Sequence, residues 1–216
     1  MEWTQDVSLG QWIIEGTSGS LGNDIADLVP RGFDAYAKIL HPEEVGILPI
    51  LPQAVRLLME YTSTPTNATA AIWEGWGGLA SSGGQASLML ANQSTFLTQV
   101  CLALQRQWLH VLSQFRPPPQ LGTGILPADV AAGPKLEMPD RAYYLVRLDL
   151  HDLATYGWED RVLWADPPLT RTPSLLWPDD HAWVLATEID LDWTVIAGSC
   201  GLVEDLIRSD LHVIKM

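Results

Sequence analysis

The run SLLWPDDHAWVLATEIDLDWTVIAGSCG, residues 174–201, constrains the fold more than any other stretch. Its apolar segments are four to eight residues long, rich in Val, Ile, Thr and Trp, and separated by Pro-Asp-Asp and Asp-Leu-Asp. Segments of that length and composition between turn residues read as buried strands, so AWVLATEID and DWTVIAGS are expected as two strands. Strands that apolar need other layers to cover them.

The remaining segments supply both sheet and helix. QWIIE (11–15) is expected as a first strand, stopped by the GTSGSLG stretch, and FDAYAKIL (33–40) as another, running into His41-Pro42. PQAVRLLMEYT (52–62) places Val55, Leu58, Met59 and Thr62 on one side behind a Pro in the first turn, which is helix spacing. TAAIWEGWGG reads as a strand ending in a glycine turn, and 78–92 as a Gly/Ser/Ala loop. A long helix is expected over 94–115, with Leu97, Val100, Cys101, Leu104, Trp108, Val111, Leu112 and Phe115 in steps of three and four behind Ser94. After the turn-rich RPPPQLGTGILP, RAYYLVRLDL is expected as a strand, HDLATYGW as one or two helical turns, and GLVEDLIRSD as a short helix with Leu202, Leu206 and Ile207 inward. LHVIKM is expected to return as an edge strand. Helices and strands do not alternate regularly, so the fold class is α+β: one domain over 1–216, with a mixed or antiparallel sheet and two or three helices. Residues 116–127 are the sole candidate internal boundary.

Twelve Lys and Arg stand against 26 Asp and Glu, a formal net charge of −14. Such a field repels phosphate backbones and anionic lipid, so neither nucleic acid nor a membrane surface is expected as a partner. No window has the roughly 18 apolar residues of a spanning helix, and the first 30 residues lack the basic start and apolar run of a secretory signal. Cys101 and Cys200 form no C-x-x-C, which suits a reduced, cytoplasmic compartment.

Three constellations could carry chemistry. In a single extended strand, Glu188, Asp190 and Asp192 would share one face at roughly 6.6 Å spacing, suited to flanking a glycosidic bond or holding a hard cation; Asp-Leu-Asp is equally good turn material between two strands. Asp179, Asp180 and His181 unite carboxylates and an imidazole, but sequence neighbours rarely face each other, and Trp-Pro-Asp-Asp is turn chemistry. Ala197-Gly-Ser199-Cys200-Gly201 matches a nucleophile elbow with Ala for the first Gly. Only 15 residues follow Gly201, too few for the strands that would bring an acid and a histidine, so Ser199 is expected as a helix N-cap and Cys200 as a buried thiol. The five histidines are dispersed without zinc spacing, and no P-loop or G-x-G-x-x-G is present; no metal site and no cofactor are expected.

The chain carries ten tryptophans, residues that go to cores or to recognition surfaces. Trp73 and Trp76, three apart and flanked by glycines, could grip a flat ligand or close a core strand. Trp177 and His181 are the other candidate ligand-binding residues.

The blocks Leu28-Val-Pro-Arg-Gly-Phe33-Asp-Ala-Tyr36-Ala-Lys-Ile-Leu-His41-Pro42, Trp73-Glu-Gly-Trp-Gly77 and Pro173-Ser-Leu-Leu-Trp177-Pro178-Asp-Asp-His-Ala-Trp183 through Ala186-Thr-Glu188-Ile-Asp190 to Gly198-Ser199 resemble, in order and spacing, a family of hypothetical proteins of high-GC Gram-positive bacteria. The resemblance spans roughly residues 28–207 and implies one continuous domain, with no catalytic positions to transfer. LVPRGFDAYAKIL is also similar to the opening motif of SMI1/KNR4-like immunity proteins, without the glycine pair that follows it there, and this implies a binding role. The resulting expectation is an acidic, soluble, cytoplasmic α+β module that binds a protein partner or a small molecule. The alternative is a hydrolase or metal-dependent enzyme using the acids of a strand over 183–192.

Overall fold

A computed structural model describes residues 1–17, 25–42, 47, 49–80, 124–138, 141–165, 171–189 and 191–216. The helix expected over 94–115, residues 81–92 of the loop expected over 78–92, and residues 116–123 lie outside the described residues.

Among the described residues, nine strands form one antiparallel sheet: β1 Glu2–Thr4, β2 Ala35–Leu40, β3 Ala68–Trp73, β4 Leu136–Met138, β5 Arg141–Leu148, β6 Leu175–Pro178, β7 Val184–Thr187, β8 Trp193–Gly198 and β9 Val213–Lys215. Their order is β1-β5-β3-β6-β7-β8-β2-β9, with β4 also on β5. The helices among the described residues are α1 Gln11–Gly16, α2 Ile25–Leu28, α3 Leu51–Met59, α4 Ala128–Ala131 and α5 Cys200–Arg208. The architecture is therefore α+β. Strands from before and after residues 116–127 interleave, since β3 sits between β5 and β6, so a boundary there would cut the sheet.

Alternation within the strands sorts the core into two layers. Ala70, Ile72, Tyr144, Val146, Leu176, Leu185 and Ile196 face α3 and α5, together with Trp158 and Trp164. On the opposite face Ala71, Leu145, Leu175, Trp177, Val184, Val195 and Ala197 pack under Ile13, Leu28 and Val29. Trp158, Trp164, Trp177 and Trp183 are among the largest fully buried side chains. The Trp164 indole N–H donates to the Arg171 carbonyl at 2.9 Å.

Several expectations hold. α3 starts with Pro at its first turn and buries Val55 and Leu58; Ser199 caps α5, its hydroxyl accepting from Leu202 N at 3.2 Å; β9 is an edge strand paired only with β2. Others change. QWIIE is helical, because an apolar run of five cannot by itself separate strand from buried helix. The turn over Val7–Gly10, capped by the Asp6 carboxylate, feeds straight into α1. In α5, Ile207 is 43% exposed and Val203 takes the inward place beside Leu202 and Leu206. Cys200, at the first position of that helix, is exposed rather than buried.

Candidate functional site

The helix α1 and the turn before it lie across the sheet face formed by β3, β5 and β6. Ser8, Gln11, Trp12 and Glu15 recur in steps of three and four, so they form one stripe along the helical segment. Trp177 and Asp179 alternate along and just past β6, so they project to the same sheet face. Between the stripe and the strand end runs a groove of about 510 Å³, lined by Ser8, Leu9, Gln11, Trp12, Glu15, Trp177, Asp179 and His181. Trp177, 1% exposed, belongs to its floor.

The groove wall is an aromatic stack. The His181 imidazole lies on the Trp12 indole with ring centroids 4.1 Å apart and planes at 16°, and Phe33 meets Trp12 edge-on at 6.4 Å. His181 has φ +53°, the positive φ of a non-glycine residue among the described residues. That conformation is costly for a residue with a Cβ, although His tolerates it better than most.

Two networks hold His181 there. The turn Pro178–His181 is closed by His181 N–H donating to Pro178 O at 3.0 Å. Within it the Asp180 carboxylate accepts from Thr62 Oγ1 at 2.8 Å, Ser63 N at 2.6 Å, Ser63 Oγ at 2.8 Å and Ala182 N at 3.2 Å. Burial acts to raise the Asp180 pKa, but these donors outweigh it and hold the carboxyl below its ordinary value. Asp179 forms a two-pronged ion pair with Arg147 on β5, one prong at 2.7 Å, and Arg147 also donates to Thr69 Oγ1 at 3.0 Å. The bond to Asp179 is the main reason the guanidinium pKa is raised. Asp179 and Asp180 are thus anchors of a turn, and neither carboxylate hydrogen-bonds the imidazole of His181.

The acids at the next turn do not line up. β7 ends at Thr187, Leu191 N–H donates to Glu188 O at 3.2 Å, and β8 begins at Trp193, so Glu188 and Asp192 flank a hairpin turn rather than sharing one strand. Asp190 lies outside the described residues. Glu188 reaches over the sheet to an ion pair with Arg141, and Asp192 is exposed. Among the described residues, no group of three or more His, Cys, Asp and Glu side chains converges as a metal site would require.

Beside Asp192, His41 Nε2 lies 2.7 Å from the Thr194 hydroxyl. Burial lowers the His41 pKa against the opposing pull of Asp192 and of a hydrogen bond to the Leu191 carbonyl. A ring that donates to Leu191 with one nitrogen accepts from Thr194 with the other, so the pair is a neutral interior contact. Thr194 is fully buried, which closes it to any substrate.

Trp73 and Trp76 meet edge-to-face at 6.0 Å but not at the groove. Trp73 and Thr69, the β3 partner of Trp177, are four residues apart along the strand, roughly 13 Å. The Arg141 guanidinium covers the Trp73 ring at 5.5 Å while pairing with Glu188, so Trp73 serves an internal stack. Of the four ligand-binding candidates, Trp177 and His181 come together and Trp73 and Trp76 form a separate pair. Trp12 was not legible as a site residue because QWIIE reads as a strand; the 8/11/12/15 spacing was the available signal.

Comparison of the chain with protein-family models, curated proteins and solved structures finds no match in any of the three. Among the described residues no helix is long and apolar enough to cross a membrane.

Proposed function

We propose that the chain is a soluble, acidic, cytoplasmic binding module without chemistry of its own, and that its site is the groove between α1 and the end of β6. The observation that carries this reading is the Trp12–His181 stack over that groove, held by a histidine at positive φ. Strained backbone persists where the surroundings over-determine it, and such residues cluster at ligand clamps. The groove volume falls in the ordinary range of small-ligand sites, and its make-up, aromatic walls with a few convergent polar groups, is that of such sites. The acidic composition and the absence of C-x-x-C from the sequence support the compartment.

The reading is tested by titrating a fragment library into the full chain and following the indole N–H resonances of all tryptophans. Binders are expected to shift Trp12 and Trp177 first and to lose affinity in Trp12→Ala. Fragments that bind elsewhere while those two resonances stay still would reject the groove.

A further inference from the structure

We infer that the ligand group seated in this groove is an organic cation, a guanidinium or alkylammonium, held beside the aromatic wall of Trp12 and His181 and countered by Glu15; the inference rests on the binding reading above. Charge decides the class. Glu15 and Asp179 line the groove, and Glu2 and Asp6 lie close enough to act on Arg147. Against these carboxylates no Lys or Arg lines the groove among the described residues, and the neighbouring Arg147 is engaged by Asp179 and Thr69.

Glu15 is left unmatched. Its hydrogen bond is to the neutral Gln11 amide at 3.3 Å, and it has no ion pair among the described residues. A carboxylate sharing a groove with an aromatic wall suits an organic cation, because ring electrons and the acid act together on a weakly hydrated charge. An anion would meet the acids, and the chain's net charge of −14 extends that repulsion to longer range. Neutral flat ligands could use the indoles but would leave Glu15 without a role.

The same chemistry could arrive as a free small cation or as an arginine or lysine side chain of a protein, and one experiment separates these. The full chain is titrated with propylguanidinium, with its neutral counterpart propylurea, and with N-acetylarginine methylamide, reading the Trp12 and Trp177 indole resonances. Propylguanidinium is expected to bind about tenfold more tightly than propylurea, as a cation over an indole implies. That preference is expected to shrink severalfold in Glu15→Gln, whose other resonances should match the parent.

Tighter binding of the arginine derivative than of propylguanidinium would assign the cation to a protein side chain, and the reverse order to a free molecule; both support the inference. Equal affinities for propylguanidinium and propylurea, or a preference unchanged in Glu15→Gln, would overturn the cation and leave the groove as a site. A groove silent to these probes but shifted by other fragments would do the same. Silence to every probe and fragment would overturn the binding reading with it.

Discussion

His181 lies flat on Trp12, 4.1 Å between ring centroids, and this contact ties the first helix of the chain to a turn between two central strands. The indole belongs to α1, which rests on the sheet through Ile13 and the residues around Leu28 and Val29. The imidazole belongs to a turn locked by Asp179 and Asp180. Each side of the groove is therefore fixed by its own anchors, and the stack closes them at the surface.

The backbone at His181 can be separated from its ring. His181→Ala and His181→Gly both lose the stack, but only alanine keeps a Cβ at φ +53°. Alanine is expected to be less stable than glycine by about 1 kcal/mol in urea unfolding. An alanine variant as stable as the glycine one would mean the positive φ is not held in solution.

Asp180 makes the turn sensitive to acid. Its carboxyl is held below the ordinary range, so the unfolded chain takes up that proton at a pH where the folded chain does not. The stabilisation is complete above about pH 4 and disappears as pH falls through the folded-state value. Asp180→Asn should lower stability at pH 7 by about 1–2 kcal/mol, a charge-assisted network reduced by partial exposure, and should flatten the dependence below pH 4. Parallel pH profiles for the two proteins would remove Asp180 from the account.

His41 works at a higher pH and through burial. Its pKa is lowered, so the folded state resists the proton that the unfolded imidazole binds near 6.5. Stability is full above that value and falls as pH drops below it. Thr194→Val, which removes the hydroxyl 2.7 Å from Nε2 and leaves a half-buried acceptor without its donor, should cost about 1–2 kcal/mol at pH 7. Thermal unfolding between pH 7 and pH 5 should show the slope in the parent chain and not in His41→Phe.

Elements specified by their own residues were legible in the sequence. α3 and β2 follow from Pro52 and the Val55/Leu58 spacing and from the Tyr36–Leu40 run. β1 and β4, three residues each, exist because β5 is long enough to pair with both, Glu2–Thr4 with Leu145–Arg147 and Leu136–Met138 with Arg141–Tyr143. Nothing within them announces a strand. The same limit hid the site: the Trp12–His181 stack joins segments far apart in the chain, and the Asp179–Arg147 pair depends on β5 and β6 flanking β3. In residues 183–192 the alternation was visible, but Asp-Leu-Asp served strand and turn equally, and β7 ends at Thr187 with Glu188 in the turn closed by Leu191.

Gly75 tests the Trp73 stack. A Cβ there would overlap the six-membered ring of Trp73, which lies against the sheet-face core and is held by Arg141 on one side and Trp76 at 6.0 Å. The indole cannot yield without breaking the guanidinium contact and exposing the Arg141–Glu188 ion pair. Gly75→Ala is therefore expected to destabilise by about 1–3 kcal/mol, as overpacking does, and to change the near-ultraviolet circular dichroism of the tryptophans. Gly32→Ala, where no atom lies within 4 Å of the added methyl, should leave that signal alone and cost only its left-handed strain, about 1 kcal/mol. If Gly75→Ala also leaves the signal unchanged, Trp73 does not pack over Gly75, and the stack that reserves it for Arg141 is absent.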